Sequence, residues 1–187
     1  MKLLGIILLL ISATVTYAAP PAPHPDEKPA PDLLHDFRAV IGIWQPVPDG
    51  APAAKPAKDN EEYRFAPIHN GRFVISQEIF RDASGKITYR DFVVFGVDPD
   101  SHRLFLQAYN TDGSIERADA GESLASPWSF RGTVHGSTRF KDYRYTLSLT
   151  DKTHLHILIE LLKDGKYEKY SEKDYVRKSA EAPSTVE

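Results

Sequence analysis

The sequence predicts an all-β protein: an antiparallel up-and-down β-barrel of eight to ten strands with a short N-terminal helix. Two observations lead to this fold class. Stretches of six to eight residues alternate between apolar and polar side chains, which is typical of half-buried strands. Turn-forming residues separate these stretches, and no helix-length segment interrupts them, so consecutive strands are expected to pair. Such a long meander hides its edges by closing on itself.

The first 19 residues have the layout of a secretory signal peptide. Lys2 provides a positive start, residues 3–15 form an almost unbroken apolar run, and small residues precede the expected cleavage after Ala19. The run is shorter than the roughly 20 residues that span a bilayer. The chain also has no cysteine, which excludes disulfides and a lipid-modified cysteine. We therefore expect a soluble exported protein, periplasmic or secreted, with no membrane anchor after the leader is removed.

Proline content predicts where the folded domain begins. Residues 20–31 contain six prolines in twelve positions, so this segment is expected to be an extended linker. The barrel domain is expected over 32–178 and a disordered tail over 179–187. A second Pro/Ala-rich segment, 46–58, predicts a long exposed loop between the first two strands.

The elements of the domain can be assigned in chain order. Asp32 precedes apolar residues at helical spacing, which predicts a short amphipathic helix over 33–40 with Asp32 as its N-cap. Every segment after it alternates with the period of a strand. The expected strands are 42–47, 61–67, 72–81, 87–97, 103–110, 114–120, 127–134, 138–149, 154–163 and 166–177.

Alternation also predicts which side chains point into the barrel. The expected inner faces are Phe73, Ile75, Gln77 and Ile79; Trp128, Phe130, Gly132 and Val134; and Tyr143, Tyr145, Leu147 and Leu149. Ligand pockets combine a mostly apolar wall with a few polar groups. Aromatic residues and one amide on these faces meet that description. The candidate ligand-binding residues are therefore Gln77, Trp128, Tyr143 and Tyr145, joined by Tyr63 if the 61–67 strand is in register.

A set of short motifs carries a family resemblance. Gly42-Ile43-Trp44 stands near the start of the first strand, and Tyr175-Val176-Arg177 near the end of the last. This pattern resembles the calycin superfamily of lipocalin-like barrels. More narrowly, the chain is similar over about 32–178 to a family of bacterial exported proteins of unknown function with such a barrel. The resemblance implies structural roles for Gly42, Trp44 and Arg177, with the guanidinium against the indole. Further matching pieces are Asn70-Gly71-Arg72-Phe73, Phe95-Gly96-Val97-Asp98, Asn110-Thr111-Asp112-Gly113 and Asp164-Gly165.

No cofactor or metal is expected. Haem-binding barrels similar to nitrobindin carry a glycine-richer first strand and a histidine near the C-terminal end. Here Gln45-Pro46 follow the tryptophan, and 166–177 contains no histidine. His154 and His156 with Glu160 have residue types that bind zinc or copper. Alternation places both histidines on the outer face of their strand, which argues against a metal site.

Charge and motif content restrict the function. Lys and Arg number 23 against 26 Asp and Glu, so the basic surface of a nucleic-acid-binding protein is absent. Residues 121–125 lack the second glycine of a nucleophile elbow, and no catalytic residue is assigned. The sequence favours a non-enzymatic binding protein for a small apolar or aromatic molecule. A solid barrel that serves as an interaction or structural module of the cell envelope, and an enzyme using the barrel mouth, remain as alternatives.

Overall fold

The computed structural model describes residues 32, 34–47, 60–121, 125–136 and 141–181, and these form an antiparallel β-barrel. The predicted leader and linker, most of the 46–58 loop and residues 182–187 of the predicted tail lie outside the described residues. The strands are β1 (Gly42–Pro46), β2 (Asn60–Ile68), β3 (Phe73–Arg81), β4 (Ile87–Arg90), β5 (Phe92–Val97), β6 (Leu104–Tyr109), β7 (Ile115–Ala120), β8 (Trp128–His135), β9 (Asp142–Leu149), β10 (His154–Lys163) and β11 (Lys166–Ser179).

The strands close into a ring. β1 pairs with β2 on one side and with β11 on the other, which joins the two ends of the meander. β4 and β5 both pair with β3 and are separated by Asp91 alone, so together they occupy one position in a ten-stranded ring. The predicted barrel of eight to ten strands is confirmed. No helix in the described part of the chain is long and apolar enough to cross a bilayer.

The segment before β1 differs from the predicted amphipathic helix over 33–40. Residues 34–36 form turns, and the helical part is a single 3-10 turn, Phe37–Val40. The large apolar side chains of Phe37–Val40 are instead buried in the barrel. Phe37 is fully buried inside the barrel, with its ring centroid 4.8 Å from that of Phe95 and 5.0 Å from that of Trp128. The turn therefore fills one end of the barrel with aromatic side chains.

Arg177 connects the two terminal strands at this filled end. Its guanidinium lies 4.1 Å from the ring centroid of Trp44, directly across the β1–β11 pair. It also donates to three backbone oxygens: Nη1 to Ile41 at 2.5 Å, Nη2 to Ala39 at 2.6 Å and Nε to Lys152 at 2.7 Å. Gly42 starts β1 with φ of +138°, and a Cβ there would lie 2.3 Å from the Ser179 carbonyl. The backbone contact between β1 and the end of β11 therefore requires glycine.

We expect Arg177→Ala to lower the free energy of unfolding by about 2 kcal/mol, because it removes a cation–π contact and three charge-assisted hydrogen bonds. Urea unfolding measures this loss. Arg131→Ala, which changes an exposed arginine on β8, serves as the control and should be nearly neutral. Small-molecule binding should survive the change at Arg177. Loss of binding with unchanged stability would show that this structural assignment is wrong.

The inner face of β3 is the opposite of the predicted one. Tyr63 of β2 points into the barrel and pairs with Glu78, so Glu78 points inward as well. Gln77 consequently lies on the outer face, opposite Arg64. The prediction that Phe73, Ile75, Gln77 and Ile79 form the inner face is wrong. The reason is that β3 is buried on both faces: Val74, Ile75, Ser76 and Gln77 are all less than 5% exposed.

Candidate ligand-binding site

The barrel interior divides into a filled end and a cavity. Aromatic and aliphatic side chains around Phe37 fill the first. Beyond them lies a cavity of about 850 Å³, which extends to the turn residues Asn110, Thr111 and Asp112 and to Gly136. These residues belong to the β6–β7 and β8–β9 connections, at the barrel end opposite the 3-10 turn. The cavity volume falls within the roughly 300–1,000 Å³ that is usual for ligand pockets.

Three of the five candidate residues line this cavity together. Tyr63 reaches it from β2, and Tyr143 and Tyr145 reach it from β9. The hydroxyl of Tyr145 interacts with that of Tyr63. Burial raises the pKa of both hydroxyls well above the ordinary range, so they stay protonated and can donate hydrogen bonds. The wall at this point is aromatic with polar atoms, as a ligand pocket requires.

The other two candidates do not reach the cavity. Gln77 points to the outside of β3, for the reason given above. Trp128 does point into the barrel, but at the filled end, where it is 1% exposed and its ring meets Phe37 edge-on. Trp128 therefore belongs to the aromatic core. Alternation predicts the face of a side chain but not its height along the barrel axis.

Acidic side chains, none of which is among the five candidate residues, form a large part of the cavity wall. Glu78 comes from β3, Asp91 from the β4–β5 junction and Glu116 from β7. Burial is the main cause that raises the pKa of Asp91 to about 7 and that of Glu78 to about 8, with a further rise from neighbouring carboxylates. Burial also raises the pKa of Glu116. The cavity therefore places three carboxyl groups in surroundings that oppose their ionisation.

A basic group in the wall neutralises part of this charge. Lys173 points inward from β11, with its Nζ 2.5 Å from Glu61 Oε2 and 3.8 Å from Glu78 Oε1. The same Nζ lies 4.9 Å from the ring centroid of Phe80. The Tyr175 hydroxyl donates to the second carboxylate oxygen of Glu61. Lys173 is thus bound to the β2–β3 side of the cavity, away from β7.

Two sequence signals indicate these inward charges. Glu116 occupies the same face of β7 as the buried Ala118 and Ala120. Lys173 shares its face of β11 with the buried Tyr175. A charged residue in register with buried residues on a strand is therefore a useful sign of a polar cavity. Glu78 carries no such distinguishing sign, because both faces of β3 are buried.

The histidine pair on β10 has separate partners. His154 Nδ1 lies 2.9 Å from Asp151 Oδ2, and His156 Nδ1 lies 2.8 Å from Asp174 Oδ1. Glu160 is held by the guanidinium of Arg144. Among the described residues, no group of three histidine or carboxylate side chains is arranged to hold a metal ion.

Comparison with known proteins adds no family to this description. No protein-family model matches the chain, and a search among curated proteins finds no significant match.

Proposed function

We propose that this protein binds a small molecule with an aromatic or apolar body inside the barrel, and that it binds without chemical conversion. The observation that carries the proposal is the cavity of about 850 Å³ in the barrel interior. An interaction module with a solid barrel needs no such space. The barrel agrees with a lipocalin-like fold. The exported location and the bacterial family suggested by the sequence are parts of the same proposal.

The lining explains the type of ligand. Apolar contact comes from Val93, Leu106, Ala108, Ile159 and Leu161, and aromatic faces come from Tyr63, Phe80, Tyr89, Tyr143 and Tyr145. Aromatic side chains give a large contact area and prefer tilted or offset contact with another ring. Burial of apolar ligand surface contributes roughly 25 cal/mol per Å². A flat or compact apolar body therefore suits this wall.

The test uses the neutral fluorescent probe N-phenyl-1-naphthylamine, because neither native tryptophan lines the cavity. We expect saturable binding with a large rise in emission. Ala108 lies on the inner face of β6, is 4% exposed and lines the cavity. Ala108→Trp should fill part of the space and weaken probe binding at least tenfold.

The matched control is Ile115→Trp, which adds the same indole at a position that is 42% exposed and outside the cavity lining. This variant should bind the probe as the wild type does. Equal weakening by both substitutions, or no saturable binding by the wild type, would contradict the proposed site. Native mass spectrometry of the protein purified from its own source should also show a bound small molecule.

A further inference from the structure

The cavity wall carries more acidic than basic groups. Glu78, Asp91, Asp112 and Glu116 line it, and Lys173 is the only lysine or arginine in the lining of this cavity among the described residues. Lys173 is already bound to Glu61 at 2.5 Å. Its positive charge is therefore balanced mainly by Glu61, which is not part of the cavity lining, and less by Glu78, which is. The remaining cavity favours a positively charged occupant.

Asp91 and Glu116 line the cavity without a basic partner among the described residues. Asp91 Oδ1 accepts the backbone N–H of Glu78 at 2.6 Å, and Glu116 Oε1 accepts the side-chain amide of Asn110 at 2.9 Å. Neither forms a salt bridge with any residue the structure describes. Asp91 is only 8% exposed. A buried carboxylate with neutral donors alone is costly to ionise, and a cationic partner removes that cost.

The sheet register brings these two groups to the same part of the wall. Val93, Ala108 and Glu116 lie side by side across β5, β6 and β7. Asp91 precedes Val93 by two residues and lines the same cavity. It lies closer than Val93 to the β6–β7 connection. On β6, which lies between β5 and β7, the residue between Val93 and Glu116 is the small Ala108. Space is therefore left in front of both carboxyl groups.

A further polar group points into the same space. Tyr143 is 3% exposed and lines the cavity, and its hydroxyl, which interacts with the neighbouring Glu116 carboxyl, makes no hydrogen bond of normal geometry within the described part of the chain. Burial and the Glu116 carboxylate both raise the pKa of this hydroxyl, which keeps it protonated. Buried polar groups in native proteins are nearly always satisfied. The Tyr143 hydroxyl beside Glu116 therefore offers a hydrogen-bonding position to a ligand atom in the cavity.

We propose that the ligand is a small organic cation: a protonated amine on an aromatic or apolar body, with its ammonium held by Asp91 and Glu116. This inference rests on the proposed binding function. An ammonium has N–H donors for both carboxylates, and its charge also interacts favourably with the faces of nearby tyrosines. An amine oriented in this way can donate to the Tyr143 oxygen. A neutral ligand leaves the buried carboxylates uncompensated, and an anion is repelled.

The test compares two compounds that differ only in charge. Titration calorimetry at pH 8 is run with 1-naphthalenemethylamine, which is protonated, and with 1-naphthalenemethanol, which is neutral. We expect the amine to bind at least tenfold more tightly than the alcohol. Glu116→Gln and Asp91→Asn should each weaken amine binding at least tenfold while changing alcohol binding less than twofold. Asp119→Asn, an exposed change on the outer face of β7, should affect neither.

The possible results separate the two proposals. Equal affinity for amine and alcohol, or amine binding that is insensitive to both carboxylate variants, overturns the cation inference and leaves the binding function intact. If neither naphthalene compound nor the neutral probe binds, both proposals fail. Circular dichroism of each variant shows that the barrel is folded. Because Gln and Asn replace Glu and Asp with almost the same shape, a loss of amine binding by a folded variant reports the charge.

Discussion

Replacing Asp91 by asparagine is expected to stabilise the unliganded barrel by about 3 kcal/mol at pH 8 and by almost nothing at pH 4. The carboxyl group is buried, and its pKa rises from an ordinary 3.8 to about 7. At about 1.4 kcal/mol for a tenfold change in proton affinity, a rise of this size in the pKa corresponds to about 4.4 kcal/mol, which is the upper limit of the gain. Asparagine keeps an oxygen to accept the Glu78 N–H, and it never has to ionise.

The sign follows from proton binding. Between about pH 4 and pH 7 the folded protein holds a proton on Asp91 that the unfolded chain has lost. The folded state therefore binds more protons, and the free energy of unfolding falls as the pH rises through this window. Glu78 acts in the same direction up to about pH 8. The ionisable groups that interact with Asp91 are Glu78, Glu116, Tyr63, Tyr89 and Tyr145.

Urea unfolding of wild type and variant at several pH values measures this effect. Asp119→Asn is the matched control, because it removes an exposed carboxylate from β7 and should give a small change without this pH dependence. A stability gain for Asp91→Asn that is the same at pH 4 and pH 8 would contradict the role of ionisation. If Asp91→Asn both stabilises the unliganded barrel and weakens amine binding, the ionised Asp91 carboxylate lowers stability and is needed to bind the cation.

Replacing Gly132 by alanine is expected to destabilise the barrel by about 3 kcal/mol or more, at the upper end of overpacking effects. Gly132 pairs with Ala118 across β7 and β8. A Cβ at Gly132 would lie 1.9 Å from the Arg117 carbonyl oxygen and 2.5 Å from both Cα and Cβ of Ala118. Because these are mainly backbone atoms, no side-chain rotation relieves the clash. The two strands must separate, which breaks hydrogen bonds between them.

Gly121→Ala provides the comparison for this effect. A Cβ at Gly121 meets no atom of the described residues within 4 Å, and its φ lies outside the region that favours glycine. That substitution should change stability by less than about 0.5 kcal/mol. The urea midpoints of the two variants should therefore differ widely. Equal midpoints for Gly132→Ala and the wild type would show that β7 and β8 are not as closely paired as described.

The sequence by itself predicted the ring of strands. Alternation and turn residues identified every segment of the meander, including 87–97, which the structure divides at Asp91. The inner faces of β8, β9 and β10 also followed from alternation. These strands have one apolar face and one polar face, so hydrophobic burial allows only one orientation. Tyr143 and Tyr145 could therefore be placed inside the barrel from local pattern alone.

Pairing decided the orientation of β3. Both of its faces are buried, and each mixes apolar with polar residues, so alternation does not distinguish the inner face from the outer one. The register with β2, in which Tyr63 lies opposite Glu78, turns Glu78 inward and Gln77 outward. In the N-terminal segment, too, the local pattern did not determine the structure. Its helical spacing of apolar residues is used by a single 3-10 turn that inserts Phe37 into the barrel.

Only the tertiary structure showed the acidic part of the cavity. Glu78, Asp91 and Glu116 are separated by at least a dozen residues along the chain and come together because the strands between them curve into a closed wall. Alternation determines the face on which a side chain lies, since that depends on the local backbone. The height along the barrel axis and the neighbours across the cavity depend on register and closure. Strand pairing over the whole chain determines both, and it therefore decides which charges share one space.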